Sequence, residues 1–166
     1  MIKMFETKSK TVPITKEMVR NAYRKVKANH GAAGVDKESL EEFQANLSGN
    51  LYALWNRLSS GSYFPKPVRS VSIPKSNGKR RILGIPTVSD RIAQQVIKDY
   101  LEPRLEAQFH GNSYGYRPLK SAHDAVEAVQ KNVREYKWVI DLDIKSFFDE
   151  VDHELLMKAV ERHVPE

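Results

Sequence analysis

The stretch Trp138-Val-Ile-Asp141-Leu-Asp143-Ile-Lys-Ser-Phe147-Phe148-Asp149-Glu-Val-Asp152-His153 decides how the chain is read. Trp138, Val139 and Ile140 favour the pleated state, which predicts a strand over Trp138–Ile144. Alternate side chains of a strand share a face, so Asp141 and Asp143 point one way and Ile140, Leu142 and Ile144 the other. Ser146 to Asp149 turn the chain. Asp152 is placed to cap a helix carrying Leu155, Leu156, Ala159 and Val160. Carboxylates between apolar neighbours are costly to bury unless a positive charge meets them. A hard cation such as magnesium, which takes oxygen ligands, answers that need. A lone Asp-x-Asp is more commonly a solvated or salt-bridged strand face, so the spacing alone leaves both readings open. Phe147-Phe148 fits the floor of a nucleotide pocket, and equally fits plain core.

Charge is distributed unevenly outward from that stretch. From Asp141 onward acids outnumber bases, whereas between Glu42 and Asp90 there is no acidic residue at all. The same span holds Arg57, Lys66, Arg69, Lys75, Lys79, Arg80 and Arg81. A basic surface attracts phosphates and an acidic one a divalent metal, and an enzyme that joins nucleotides needs both. The net charge of +6 points the same way, though less sharply. The 166 residues suffice for one domain with a core. The absence of cysteine excludes a disulfide framework and thiolate metal sites, and agrees with a reducing cytosol. No run is long and apolar enough to span a membrane, and the N-terminus lacks the pattern of a signal peptide.

Upstream, hydrophobic periodicity predicts a helix-rich α+β chain. Thr15 caps a first helix with Met18, Val19, Ala22, Tyr23 and Val26 on one face. Asp36 or Ser39 opens a second through Leu40, Phe43 and Leu47. Gly49 interrupts, and Leu51, Leu54, Trp55 and Leu58 form a third stripe that Ser59-Ser-Gly61 stops. Val68–Ile73 and Lys79–Ile85 read as strands about Ser76-Asn77-Gly78, since Asn-Gly suits the positive φ of a tight hairpin. Such a hairpin is either a basic finger or an ordinary solvated one. Ser89 or Asp90 begins a long helix that Pro103 should kink or restart. Ser121 and Asp124 form a capping box for another, with Ala122, Ala125, Val126, Val129 and Val133 as its buried stripe.

Four blocks in this order resemble the N-terminal part of bacterial group II intron-encoded reverse transcriptases, also called maturases. They are Gly34-Val-Asp with Ser-Leu-Glu-Glu-Phe downstream, Ile73-Pro-Lys-Ser-Asn-Gly-Lys-Arg-Arg-Ile-Leu-Gly-Ile-Pro-Thr-Val-Ser-Asp-Arg91-Ile-Ala-Gln-Gln, Ser113-Tyr-Gly-Tyr-Arg-Pro-Leu-Lys-Ser-Ala-His-Asp-Ala-Val, and Asp143-Ile-Lys-Ser-Phe-Phe-Asp-Glu-Val-Asp-His. The resemblance implies an RNA-contacting helical extension over residues 1–61, fingers with the basic hairpin over 62–136, and the start of the palm over 137–166. Asp143 matches the first catalytic aspartate, a magnesium ligand joined by the carbonyl of Ile144. Phe147 matches the residue under the sugar of the incoming deoxynucleotide, with Phe148 beside it. Lys79, Arg80 and Arg81, unranked, match the cations that grip the triphosphate. Lys66, Arg69, Lys75, Tyr116 and Arg117 fall where template and primer are held.

The implied partners are intron RNA, an RNA template with its DNA primer, and deoxynucleotides, in the bacterial cytoplasm. One departure is large. The family's second motif, an aromatic and a variable residue followed by Asp-Asp, is not found, so the expectation is a truncated palm with half of a two-metal site. Self-association through that palm is a further expectation. Two functions follow: part of an RNA-directed DNA polymerase, inactive alone, or a non-catalytic RNA-binding module that aids intron folding. A nuclease or glycosyltransferase built on Asp-x-Asp lacks its companion carboxylates.

Overall fold

The structure, a computed structural model, describes residues 12–74, 76 and 78–164. Among these, seven α-helices and one two-stranded antiparallel sheet form a helix-rich α+β chain, as the periodicity predicts. Helix α1 (Lys16–Ala28) starts at Thr15, whose hydroxyl accepts the Met18 N–H at 3.2 Å. Ser39, not Asp36, opens α2 (Leu40–Ala45), in a reciprocal box with Glu42. Helix α3 (Leu47–Ser59) follows directly, so the break lies at Asn46 and Gly49 sits inside the first turn. The Asn50 amide donates to the Phe43 carbonyl at 2.9 Å, satisfying one of the acceptors that the end of α2 leaves open. The core lies among Val19, Ala22, Tyr23 and Val26 of α1, Leu40 and Phe43 of α2, Leu54 of α3, and Val88, Ile92, Ala93 and Val96 of α4 (Val88–Leu105).

Strands β1 (Arg69–Pro74) and β2 (Arg80–Ile85) pair in register from Arg69↔Ile85 to Pro74↔Arg80. Gly78 has φ +77°, the backbone that the expected turn demands of a glycine. Asn77, with which Gly78 was paired in the sequence reading, lies outside the described residues.

The roots of the hairpin are held by one buried carboxylate. Asp90 is 3% exposed. It accepts the Tyr63 hydroxyl at 2.5 Å, the Thr87 hydroxyl at 2.6 Å and the Lys66 N–H at 3.4 Å. The Asp90 N–H returns to the Thr87 hydroxyl at 3.1 Å. Thr87 therefore caps α4, and the helix begins at Val88 rather than at Ser89 or Asp90. Gly34 closes against the same point: a Cβ there would stand 2.6 Å from the Thr87 Cα. Asp36 turns its own loop by accepting the Glu38 N–H and pairs with the Lys66 ammonium at 3.1 Å. The helix α4 also runs through Pro103 to Leu105 before a 3-10 turn at Glu106–Gln108. Proline two residues from the end forfeits a single backbone bond, which the helix tolerates.

The chain divides into two compact units, one up to Tyr100 and one from Leu101. In the second, Ser121 and Asp124 cap α5 (Ala122–Glu135) as expected. Two expectations fail there. Val126, Val129 and Val133 are more than half exposed, so the stripe is apolar without being buried. Trp138–Ile144 forms neither helix nor paired strand among the described residues, and its apolar side chains stand in solvent. Both failures share a cause. Periodicity sets a local conformation, whereas burial and laddering need a partner surface.

Replacing Asp90 with alanine strands three donors and should cost about 3 kcal/mol in urea unfolding. Burial, then the hydrogen bond to Asp90, pushes the Tyr63 phenol above its ordinary value. A raised folded pKa stabilises fully below the unfolded tyrosine value of about 10 and is lost as pH rises beyond it. Ultraviolet titration of the native chain and of Tyr63→Phe should therefore coincide near pH 10, and a missing tyrosinate in the variant would contradict this.

Candidate nucleotide and nucleic-acid site

Asp143 sits where an irregular segment enters a tight turn. Ser146 adopts φ +53°, a left-handed conformation costing a non-glycine residue roughly 1–2 kcal/mol. Its carbonyl then accepts the N–H groups of Asp149 and Glu150 at 3.0 Å each, closing the single turn α6 (Phe147–Glu150). Phe147 and Phe148 meet edge to face at 5.4 Å. Asp152 caps α7 (His153–His163), taking the Glu154 and Leu155 N–H groups at 2.8 and 3.0 Å. The turn is thus fixed by backbone bonds on its far side, while Asp141 and Asp143 remain exposed. Among the described residues no three Asp, Glu, His or Cys gather into a metal cluster. The Asp143 carboxylate and Ile144 carbonyl are nonetheless oxygen donors of the kind magnesium takes, enough for part of its shell.

The basic hairpin does not offer its cations equally. The Arg80 guanidinium turns back on its own hairpin, donating to the Ser72 hydroxyl at 2.7 Å and the Ser72 carbonyl at 3.2 Å. Arg81, opposite Ile73 in the ladder, is exposed, and its side chain has no hydrogen bond or ion pair among the described residues. Lys79 is exposed and engaged elsewhere. Arg69 is exposed at the start of β1. Lys75 lies outside the described residues.

Two of the remaining residues have structural partners. Lys66 is neutralised by Asp36 and held by its N–H to Asp90. Arg117 organises the loop after α4: it donates to Glu106 at 2.7 and 3.0 Å and to the carbonyls of His110 and Ser113 at 2.7 and 2.9 Å. It also lies over the Phe109 ring at 5.3 Å. The result is that Tyr116, at φ +58°, stands fully exposed at the loop's tip. Asp90 and Tyr63, which anchor the hairpin, were missed as positioning residues. The available signal was Thr87-x-x-Asp90, a capping-box spacing. Arg117→Ala should speed proteolytic cleavage of the loop between residues 109 and 118 about tenfold, a loss of about 1.4 kcal/mol in local closure. Arg117→Lys should not restore protection, since an ammonium cannot reproduce the guanidinium fork.

Comparison with known proteins bears on these residues together. A family model described as "Reverse transcriptase (RNA-dependent DNA polymerase)" matches residues 73–166. Protein YkfC of Escherichia coli K12 is 43% identical over 155 residues, covering 89% of this chain and 41% of that protein. The group II intron-encoded protein LtrA of Lactococcus lactis is 32% identical over 142 residues, covering 84% and 23%. The nuclear intron maturase 1, mitochondrial, of Arabidopsis thaliana is 33% identical over 92 residues, covering 54% and 13%. The chain spans less than half the length of each of these relatives.

Proposed function

The chain belongs to the reverse transcriptase family, in its group II intron branch, and from that premise we propose that it forms the fingers and first part of the palm of an RNA-directed DNA polymerase. The observation that carries the reading is the reach of the family match. It takes in β2 with Lys79, Arg80 and Arg81, and the Asp143 turn, the two halves a nucleotidyl transfer requires. Magnesium, when bound, supplies the charge that offsets the triphosphate. Asp143 and the Ile144 carbonyl hold it from the palm side. Arg81, with Lys79 and Arg80, neutralises the β- and γ-phosphates, and Arg81 ranks first because it carries no competing bond. Phe147 lies beneath the sugar and excludes a 2′-hydroxyl, with Phe148 buttressing its edge.

In the reaction the primer 3′-hydroxyl attacks the α-phosphorus, the bond to the β-phosphate oxygen breaks, and pyrophosphate leaves. Tyr116 stacks near the nascent pair, while Arg69 and Lys75 meet the nucleic-acid backbone and Lys66, paired with Asp36, holds the segment that leads to Arg69. Arg117 contributes by holding Tyr116's loop. Residues 1–61 form the RNA-contacting extension, 62–136 the fingers and 137–166 the opening of the palm. The working site is the bacterial cytoplasm, on intron RNA. A second reading, a non-catalytic RNA-binding module of the maturase type, is favoured for the 166-residue chain by itself by the lack of a three-ligand cluster among the described residues. The exposed run Trp138–Ile144 then suits self-association.

The 166-residue chain should give no primer extension on an RNA template. A protein of the relatives' full length carrying this segment should extend, and its Asp143→Ala form should lose at least a thousandfold, the scale of removing electrostatic stabilisation from a transfer site. Its Phe147→Ala form should accept ribonucleotides more readily. Undiminished extension by Asp143→Ala would remove the catalytic assignment.

RNA affinity of the chain should fall linearly with log salt, and Lys79, Arg80 and Arg81 changed together to alanine should flatten that slope. An unchanged slope in filter binding would show that the hairpin does not contact phosphate.

A further inference from the structure

We propose that Ser72 is a positioning residue for the triphosphate grip: it holds the Arg80 guanidinium on one face of the hairpin and so leaves the direct contact to Arg81 on the other. The inference rests on the reading above that the hairpin binds a triphosphate, and adds a residue which that reading does not use.

The ladder separates the two arginines. Its register sets Ser72 opposite Ile82, Ile73 opposite Arg81 and Pro74 opposite Arg80. Alternate residues of a strand share a face, so Arg80 stands with Ser72 and Ile82, and Arg81 with Ile73 and Leu83. Arg80 and Ser72 are diagonal neighbours across the two strands, a separation that a long side chain spans. Arg80 donates twice to that serine, from Nε to the hydroxyl at 2.7 Å and from Nη2 to the carbonyl at 3.2 Å. Nε and Nη2 lie on one edge of the guanidinium, the edge with which Arg117 holds Glu106. With that edge occupied, Arg80 has no side-on fork to offer a phosphate and acts through its charge alone.

The tie sits where it matters. Arg80 is the first residue of β2, next to the open end of the hairpin, where its side chain could otherwise swing round toward the face of Arg81. Toward the root the Arg80 face is covered by Val68, whose Cγ2 lies 2.9 Å from where a Cβ on Gly84 would stand. Farther out it is open, with Ile82 77% exposed. Sequence explains the choice of partner. Between Glu42 and Asp90 there is no acidic residue, so no neighbouring carboxylate competes with the serine. A hydroxyl and a carbonyl restrain the guanidinium without cancelling its charge.

The restraint has a use in turnover. Pyrophosphate carries the same two phosphoryl groups that the grip holds on the substrate. Holding substrate and product more tightly alike does not lower the barrier to transfer, and a second free guanidinium would retain the product. Ser72 keeps the direct grip at one arginine.

The test uses the whole isotope-labelled chain and deoxyadenosine triphosphate with magnesium. Binding is followed through the Nε–H signals of Arg80 and Arg81, each assigned from its alanine variant. In the parent the Arg81 signal should move saturably and the Arg80 signal should stay. Ser72→Ala should make both move and tighten the midpoint about threefold, the scale of one added exposed ion pair. Pyrophosphate titrated alone should tighten by the same factor. Ser72→Thr keeps the hydroxyl and should behave as the parent. Arg81→Ala should weaken binding about tenfold in the parent, the scale of one hydrogen bond to a charged group, and less in Ser72→Ala, where Arg80 takes part. A serine that merely braced the hairpin would give the opposite sign, since its removal would loosen triphosphate binding. Amide signals of Val71 and Leu83 report whether the ladder is intact in each variant. The proposal is overturned if Arg80 and Arg81 move together in the parent, or if Ser72→Ala binds no more tightly than the parent. If Arg81 does not move at all, the triphosphate reading fails and takes this proposal with it.

Discussion

The hairpin, its connecting segment and the long helix α4 are positioned by the buried carboxylate of Asp90. An ionised group in that place is tolerated only because its oxygens are met by Tyr63, Thr87 and the Lys66 N–H, and because it lies in the first turn of α4, where the helix dipole favours negative charge. The donors come from two stretches: Tyr63 and Lys66 from the segment before β1, and Thr87 from the turn after β2. Removing the carboxylate would release all three. Gly34 adds a steric condition, since the backbone of Thr87 lies where any side chain would be. The node also claims Lys66, whose ammonium is taken by Asp36, so a cation in a basic stretch serves to hold the stretch in place.

Against that fixed base the Asp143 segment is held differently. Its turn is closed by Ser146 and its following helix by Asp152, both through backbone N–H groups, and no buried side chain secures the approach from Trp138. Trp138, Ile140, Leu142 and Ile144 are exposed apolar residues on a backbone unpaired among the described residues, and Val126, Val129 and Val133 present a second apolar surface on α5. A chain with such faces gains stability from any strand or helix that covers them. The chemistry proposed for Asp143 requires further carboxylates beside it, and no three-ligand cluster forms there among the described residues.

What could be read from the residues follows the range of the forces involved. Local signals held at most helix starts: Thr15, Ser121 with Asp124, and Asp152 cap helices where their spacing said they would, and Gly78 marked the hairpin, whereas Thr87 rather than Ser89 or Asp90 caps α4. The core stripes of α1 to α4 were legible because their partners lie within the same unit. The stripe of α5 and the strand at Trp138 were right in periodicity and wrong in burial, since periodicity carries no information on whether a partner is present. The functional residues were legible as types rather than as states. Nothing in the sequence said that Arg80 would fold back on Ser72, that Arg117 would be consumed by Glu106 and two carbonyls, or that Arg81 would be left open.

Under the proposed function the Asp143 turn receives a divalent ion and the hairpin binds a triphosphate. Amide spectra of the isotope-labelled chain, recorded with a deoxynucleoside triphosphate and small additions of manganese, test it without relying on turnover. The account predicts that paramagnetic broadening starts at Asp143, Ile144 and their neighbours in the turn, and that the triphosphate shifts Arg81 and the strand around it. Broadening that begins instead at Asp149, Glu150 and Glu154, or that spreads evenly over the exposed carboxylates, would contradict it.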